Sequence, residues 1–185
     1  MYALIVLFGI LFYIMKELIL GGARSGKSHY AETCAKESGL KVIYVATAQA
    51  LDSEMQLRIQ HHQQQRPSHW HLIEEPIELL SVLKEHANSS TCILVDCLTL
   101  WISNQLCSDE HKQQIEKNSK DLASLLPTLS GRIIFVSNEV SMGVIPMGEM
   151  SRQFVDEAGR LHQCLAAKCD KVTLMVAGIP SEIKG

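Results

Sequence analysis

Short apolar runs alternate with longer polar segments along most of this chain. Four runs lie at residues 18–20, 42–46, 92–95 and 133–136, and a fifth lies near the C-terminus at 172–176. Short continuous runs rich in β-branched residues are typical of strands that are buried on both faces of a parallel sheet. The pattern therefore predicts five buried strands.

The polar segments between these runs are long enough for helices. Asp52 and Asp109 stand where N-caps are expected, while Gly39 and Pro127 are stop signals. The alternation of strands and helices predicts an α/β fold with a mostly parallel sheet flanked by helices. The predicted helices cover residues 27–38, 53–65, 77–86, 98–106, 110–126 and 147–168.

The first 14 residues do not fit this alternation, because 13 of them are apolar and none is charged. The run is shorter than the ~20 residues that cross a bilayer, and it lacks the charged start and the cleavage site of a signal peptide. We interpret residues 1–14 as an extension that arises from the choice of start site, with Met15 as the initiator, rather than as a membrane anchor. Residues 15–185 then form a single domain, and no stable membrane insertion is expected.

Composition excludes several classes of protein. The 185 residues are 46% hydrophobic and 20% charged, as in ordinary globular proteins. The net charge is -3 and no basic run occurs, so we expect no nucleic-acid partner. Six cysteines without a C-x-x-C pair or a zinc-binding pattern are best explained as buried thiols, which favours a reducing, cytoplasmic location.

Residues 21–28, Gly-Gly-Ala-Arg-Ser-Gly-Lys-Ser, match the phosphate-loop pattern G-x-x-x-x-G-K-[ST] in full. The motif follows a predicted strand and begins a predicted helix, which indicates a P-loop NTPase-type fold and a nucleotide site. Glycines allow the tight curl whose N–H groups surround phosphates, and the helix N-terminus adds positive potential. We expect Lys27 to contact the β- and γ-phosphates and Ser28 to coordinate Mg²⁺. The expected nucleotide contacts are Gly21, Gly22, Ala23, Arg24, Ser25, Gly26, Lys27 and Ser28.

The apolar run at 92–95 ends in a carboxylate, Asp96. We expect this strand to neighbour the first strand and Asp96 to bind Mg²⁺ or its waters, as the acidic strand of a phosphate-loop protein does. The alternative is an aspartate that caps the helix beginning at Leu98. No N-K-x-D motif for reading guanine occurs, which counts against a regulatory GTPase.

Four of the eight histidines cluster at His61, His62, His69 and His71. Metal binding is not favoured, because the cluster has no accompanying cysteine and no i, i+4 histidine pair. A neutral imidazole can act as a nucleophile or a base, and Arg66 could neutralise a phosphate brought to it. From the residues alone, a partly buried core histidine is the commoner explanation of this spacing.

Six segments, taken together, resemble the bifunctional adenosylcobinamide kinase/adenosylcobinamide-phosphate guanylyltransferase family of cobalamin biosynthesis. The phosphate loop alone fits many families, whereas the combination is specific. The resemblance extends from Met15 to about Lys184. The segments that carry it are residues 21–28, 44–48, 52–62, 66–70, 138–146 and 152–163.

This resemblance implies two reactions in one protein. The γ-phosphoryl group of ATP or GTP is transferred to a hydroxyl of adenosylcobinamide, and GMP from GTP is then attached to the new phosphate. It also implies that His62 carries the GMP covalently and that the protein is a homotrimer. The further nucleotide contacts that it implies are Ala46, Thr47, Ala48, Gln63, Gln64, Gln65, Arg66, Glu74 and Asp96.

The chain departs from the family pattern at several positions. Ser141 stands where glycine is usual, His162 where asparagine is usual, and Asp96 where glutamate is frequent. None of these changes removes the two groups that we assign to catalysis, Lys27 and His62. Two alternatives remain open on the residues alone: a monofunctional P-loop kinase for a small molecule, and a nucleotide-dependent switch.

Overall fold

The computed structural model describes residues 14–50, 53, 56, 57 and 67–185. Residues 1–13 and most of the predicted helix at 53–65, with its predicted cap at Asp52, lie outside the described residues. The interpretation of the N-terminal extension and the boundaries of the single domain therefore stay predictions. No helix within the described part of the chain is long and apolar enough to span a membrane.

Seven strands form one sheet in the order β3-β2-β4-β5-β1-β6-β7, and only β7 is antiparallel to its neighbour. The five predicted strands are confirmed with slightly longer bounds, while β3 and β7 escaped prediction. The strands are β1 Lys16–Gly21, β2 Lys41–Ala46, β3 His71–Glu74, β4 Thr91–Asp96, β5 Arg132–Asn138, β6 Lys171–Val176 and β7 Ile179–Lys184.

One expectation about the sheet is wrong. Strand β4, which ends in Asp96, does not neighbour β1, because β5 pairs with both of them and lies between. The strand order depends on which surfaces pack across the sheet, so a run of apolar residues does not reveal it. Asp96 therefore lies two strands away from the strand that leads into the phosphate loop.

Five α-helices connect the strands within the described residues. The helix predicted at 110–126 begins later than expected: a 3-10 turn at Lys112–Gln114 precedes it, and Gln114 rather than Asp109 is its N-cap. The stop signals are confirmed, since Gly39 follows the first helix with φ +66° and Pro127 lies in a 3-10 turn. The helices are α1 Lys27–Glu37, α2 Leu79–His86, α3 Leu98–Leu106, α4 Ile115–Leu125 and α5 Glu149–Lys168.

The helices divide between the two faces of the sheet, and the central strands β1, β2, β4 and β5 bury both of their faces. Leu18 and Leu20 of β1 pack into the core on the side of α2–α5, while Ile19 packs on the side of α1. Burial on both faces explains why these strands are continuous apolar runs rather than alternating ones. All six cysteines are free thiols, of which four are buried.

The amino-terminal edge of the sheet holds a buried ion pair. An oxygen of the Glu17 carboxylate lies 3.1 Å from a guanidinium nitrogen of Arg132, and both side chains are almost fully buried. Lys16 beside them donates to the carbonyl of Gly131 at 2.5 Å, and its burial lowers its pKa. This ion pair lies at the amino-terminal edge of the sheet, opposite the carboxyl edge that carries the phosphate loop.

Candidate functional site

The phosphate loop curls between β1 and α1 at the carboxyl edge of the sheet. Arg24 has φ +56° and Gly26 has φ +90°, and Ser25 N–H donates to the carbonyl of Gly22 at 3.2 Å. A side chain at Gly21 would collide with the carbonyl oxygen of Met175, 2.8 Å from the position of a Cβ atom. The backbone path thus needs the glycines at both ends of the loop.

Positive groups converge where phosphates would lie. Helix α1 begins at Lys27 with Gly26 as its N-cap, which offers no side-chain acceptor, and its first turn contains no acidic residue. Its first N–H groups therefore point out of the helix without an intrahelical partner, as at known phosphate sites. The Lys27 ammonium lies over the loop and donates to the carbonyl of Gly22 at 3.4 Å. The structure brings together all eight residues expected from the motif.

The turn between β6 and β7 contacts the phosphate loop, and the sequence did not predict this contact. The turn between β6 and β7 places Gly178, at φ +82°, against Gly26, and Gly178 N–H donates to the Ser25 carbonyl at 2.9 Å. The Cα of Gly178 lies 3.3 Å from where a Cβ of Gly26 would be. The Ala177-Gly178 pair is a recognisable hairpin turn, but only the fold places that hairpin beside the phosphate loop.

The other expected contacts that the structure describes end neighbouring strands at the same edge. Ala46 ends β2, and it pairs in register with Glu74 of β3 and with Asp96 of β4. At ~4.8 Å per strand, Asp96 lies about 10 Å across the sheet from β1, whereas Glu74 lies about 19 Å from it. Glu74 is therefore too distant to touch phosphates held by the phosphate loop.

Asp96 lies at the carboxyl end of β4, where a tyrosine hydroxyl contacts it. The Tyr44 hydroxyl donates to its carboxylate at 3.1 Å. Burial and the charge of Asp96 raise the pKa of the neighbouring Cys97 thiol to about 11, while the charge of Lys27 opposes this rise. Both charges thus reach Cys97. The capping alternative is wrong, because Cys97 is the N-cap of α3 and no side chain caps that helix.

The available oxygens fit Mg²⁺. Within the described residues no group of three histidine, cysteine or acidic side chains could enclose a metal ion. Ser28 and Asp96 supply one hydroxyl and one carboxylate, the hard oxygen donors that Mg²⁺ prefers alongside waters and substrate phosphates. A magnesium ion held mainly by the nucleotide suits this donor set better than a protein-enclosed metal would.

Thr47 has a structural position. Its fully buried hydroxyl donates to the carbonyl of Cys97 at 2.7 Å and accepts from Cys97 N–H at 2.9 Å. Its carbonyl accepts from the amide of Asn104 at 2.8 Å. Because these bonds use its polar groups, Thr47 ties β2 to β4, and only the half-buried Ala46 and Ala48 beside it present surface to a ligand.

The structure does not describe the segment to which the histidine chemistry is assigned. His61, His62, Gln63, Gln64, Gln65 and Arg66 lie outside the described residues, so their roles stay predictions. Among the described residues, His69 and His71 are exposed.

A buried polar cluster lies behind the end of β5. Nε2 of His162 is 2.7 Å from the hydroxyl of Ser137, and Nδ1 is 4.0 Å from the carboxylate of Glu139. Burial lowers the pKa of His162, although the charge of Glu139 opposes the shift. The one signal for this cluster in the sequence is His162 itself, which replaces the asparagine usual in the resembled family.

Comparison with known proteins identifies relatives over most of this chain. Two curated proteins named bifunctional adenosylcobalamin biosynthesis protein are similar to the chain. CobP of Pseudomonas aeruginosa is 53% identical over 171 residues, 92% of this chain and 98% of CobP. CobU of Escherichia coli is 37% identical over 182 residues, 92% of this chain and all of CobU.

Solved structures support the fold alone. An ATPase of a type III secretion system aligns with 92% of this chain and 57% of its own, at a TM-score of 0.51 and 9% identity. The P4 protein of bacteriophage phi6 in complex with ADP aligns with 90% of this chain and 54% of its own, at a TM-score of 0.50 and 15% identity. These values indicate the P-loop NTPase fold.

The family itself follows from the sequence match. The model of the family described as cobinamide kinase / cobinamide phosphate guanyltransferase matches residues 17–183, from the second residue of β1 to the penultimate residue of β7. Members of this family are transferases that use nucleotides. With its formed phosphate loop and its full-length relatives, the chain belongs to the cobinamide kinase / cobinamide phosphate guanyltransferase family.

Proposed function

We propose that this protein phosphorylates adenosylcobinamide with ATP or GTP and then transfers GMP from GTP to the product, giving adenosylcobinamide-GDP. The observation that carries the proposal is a complete phosphate loop in a chain whose family match covers residues 17–183. The substrates are adenosylcobinamide and its phosphate, and the cobalt belongs to the substrate rather than to the protein.

In the first reaction the hydroxyl oxygen of adenosylcobinamide bonds to the γ-phosphorus. The bond from that phosphorus to the β,γ-bridging oxygen breaks, the nucleoside diphosphate leaves, and the proton of the hydroxyl is released to solvent. Lys27 and the N–H groups of residues 22–28 would offset the charge that spreads over the transferred group. Ser28 and Asp96 would hold Mg²⁺, which supplies further charge neutralisation and orients the phosphates.

In the second reaction we assign the nucleophile to His62, on the resemblance rather than on geometry. A ring nitrogen of His62 bonds to the α-phosphorus of GTP, and pyrophosphate leaves. A phosphate oxygen of adenosylcobinamide phosphate then displaces the imidazole and takes the GMP. Gln63, Gln64, Gln65, Arg66 and Glu74 would contact this nucleotide, in keeping with the distance of Glu74 from the phosphate loop.

Labelling with GTP that carries a label on the α-phosphorus tests the second reaction. The wild type should acquire label that survives base and is released by acid, because a phosphoramidate behaves in this way. His62→Ala should abolish the label, and His61→Ala, its matched neighbour, should retain it. Equal labelling of His62→Ala and wild type would show that His62 is not the nucleophile.

A kinase assay separates the remaining possibilities. With γ-labelled ATP and adenosylcobinamide, the wild type should form labelled adenosylcobinamide phosphate. Phosphate transfer without any GMP adduct would indicate a monofunctional kinase. Slow hydrolysis without stimulation by adenosylcobinamide would indicate a nucleotide-dependent switch.

The proposal extends to assembly and location. A homotrimer, carried over from the resemblance, predicts a mass near 62 kDa by light scattering, about three times the 20.6 kDa chain. A cytoplasmic location predicts recovery of the native protein in the cytosolic fraction after cell lysis.

A further inference from the structure

The loop between β5 and α5, residues 139–148, exposes an unusual amount of apolar surface. Val144 is 96% exposed and Met147 95%, and the nearby Met142, Ile145 and Met150 are also exposed. Residues 140–148 contain no charged side chain. Single exposed apolar residues are normal on a protein, but five within nine positions form a patch that points to a binding partner. We call residues 139–148 the apolar loop.

The apolar loop begins beside the phosphate loop. Asn138, the last residue of β5, pairs in register with Gly21, and Glu139 N–H donates to the Gly21 carbonyl at 3.0 Å. The two loops therefore leave adjacent parallel strands at the same edge of the sheet. A molecule lying on the apolar loop would have its near end next to a nucleotide bound at the phosphate loop.

Side chains at both ends hold the apolar loop in shape. The Glu139 carboxylate accepts from Ser141 N–H at 2.6 Å and from Met142 N–H at 3.2 Å, and the Ser141 hydroxyl also donates to it. At the other end, Arg152 donates to the carbonyls of residues 146 and 147 at 3.2 and 2.6 Å. The exposed apolar side chains are thus presented by an ordered backbone.

The pKa of Glu139 reports the same arrangement. Partial burial alone would raise the pKa of Glu139. The hydrogen bonds from Ser141 and Met142, together with the charge of His162, outweigh burial and hold the pKa below its ordinary value. The carboxylate stays ionised and continues to accept from the loop at neutral pH.

We propose that the apolar loop is the surface that receives the corrin ring of adenosylcobinamide during phosphorylation. This inference rests on the proposed function and adds to it the location of the acceptor substrate. The kinase reaction must place a hydroxyl, carried on a side chain of a large flat macrocycle, at the γ-phosphorus. An uncharged, apolar and methionine-rich surface next to the phosphate loop suits the face of such a ring, because methionine adapts to broad apolar ligands. Covering this surface would also exclude water from the transferred phosphoryl group.

The test uses the full chain with Val144→Ser and Met147→Ser combined. We expect the KM for adenosylcobinamide to rise about tenfold or more, because apolar contact with the ring is lost. The KM for ATP and the labelling by GTP should not change. Ile183→Ser is the matched control: Ile183 is a 61% exposed apolar residue of β7 at the opposite edge of the sheet, and its loss should leave every constant unchanged.

Light scattering on the same variants tests the competing occupant, a second copy of this chain. An altered oligomeric state in the double variant would assign the apolar loop to contact between subunits and overturn the proposal. An unchanged KM for adenosylcobinamide in an active double variant would also overturn it. If the wild type itself fails to phosphorylate adenosylcobinamide, the proposed function is what fails.

Discussion

The phosphate loop and the apolar loop leave neighbouring strands at the same edge of the sheet, yet they are built in opposite ways. The phosphate loop is short and is shaped by Arg24 and Gly26 at positive φ and by backbone hydrogen bonds. The apolar loop is longer and is shaped by two charged side chains, Glu139 and Arg152, that bind its backbone. The difference suits their ligands. A phosphate needs bare N–H groups at close range, whereas a large apolar ring needs exposed side chains on a supported frame.

The largest expected effect tests the phosphate loop. Lys27→Met should lower kcat/KM for phosphorylation on the order of 10²–10³-fold, because it removes a positioned charge from the transferred phosphoryl group. Lys36→Met, on the same helix but at its far end, should stay within about twofold of wild type. Steady-state kinetics with γ-labelled ATP measures both, and similar losses in the two variants would contradict a specific role for Lys27.

The next effect tests the support of the apolar loop. Glu139→Ala should raise the KM for adenosylcobinamide about tenfold, because the backbone of residues 141 and 142 loses its acceptor. The KM for ATP should change little. The control is Glu149→Ala, which removes an equal charge at the other end of the loop without a role in its hydrogen bonding. Equal increases in both KM values would mean that the two loops do not divide the substrates.

Glycine substitutions test whether the phosphate loop depends on the conformation of a glycine while the apolar loop does not. Gly26→Ala should lower the free energy of unfolding by about 1–2 kcal/mol, because alanine is strained at φ +90° and its methyl group would press on Gly178. Gly143 of the apolar loop has open space around it and no positive φ, so Gly143→Ala should stay within about 0.5 kcal/mol. Urea unfolding monitored by circular dichroism measures the free energy of unfolding of both variants. Equal losses would show that the two loops depend equally on their glycines.

The smallest effect concerns His162, which packs behind the apolar loop against Glu139 and Ser137. Burial lowers the pKa of His162 in the folded state, so below an unfolded pKa near 6.5 the unfolded chain binds the proton more readily. The contribution of neutral His162 to the free energy of unfolding is therefore fully present above that pH and is lost as the pH falls below it. His162→Asn should flatten the decline in urea midpoint between pH 7.5 and 5.5, whereas His69→Asn at an exposed site should not. If the urea midpoint of His162→Asn falls with pH as steeply as that of the wild type, His162 is not the source of the decline.

Features set by local chemistry were predictable from the sequence. The phosphate-loop motif carries its own conformation, because its glycines and the following helix start dictate the curl. The five buried strands were predictable because burial on both faces requires uninterrupted apolar runs. The helix at residues 98–106 has the predicted bounds, since the apolar positions of Leu98–Leu106 face a core formed by the adjacent strands.

The remaining elements depended on their neighbours. Strand β7 is exposed at every residue and begins Ile-Pro, so it is a strand only because β6 offers it hydrogen bonds. Strand β3 is four residues long with polar ends at the edge of the sheet, too short a run to stand out. The helix expected from Asp109 begins at Ile115 instead, because a 3-10 turn intervenes.

The sequence by itself determined that this protein has a phosphate loop between a buried strand and a helix, within an α/β chain whose motifs resemble one family of transferases. These features are local: each depends on residues close together in the chain. Only the tertiary structure decided that β5 separates β4 from β1, that Gly178 supports the phosphate loop, and that an apolar loop begins beside it. Those arrangements join residues tens to more than a hundred positions apart, and packing across the sheet selects them.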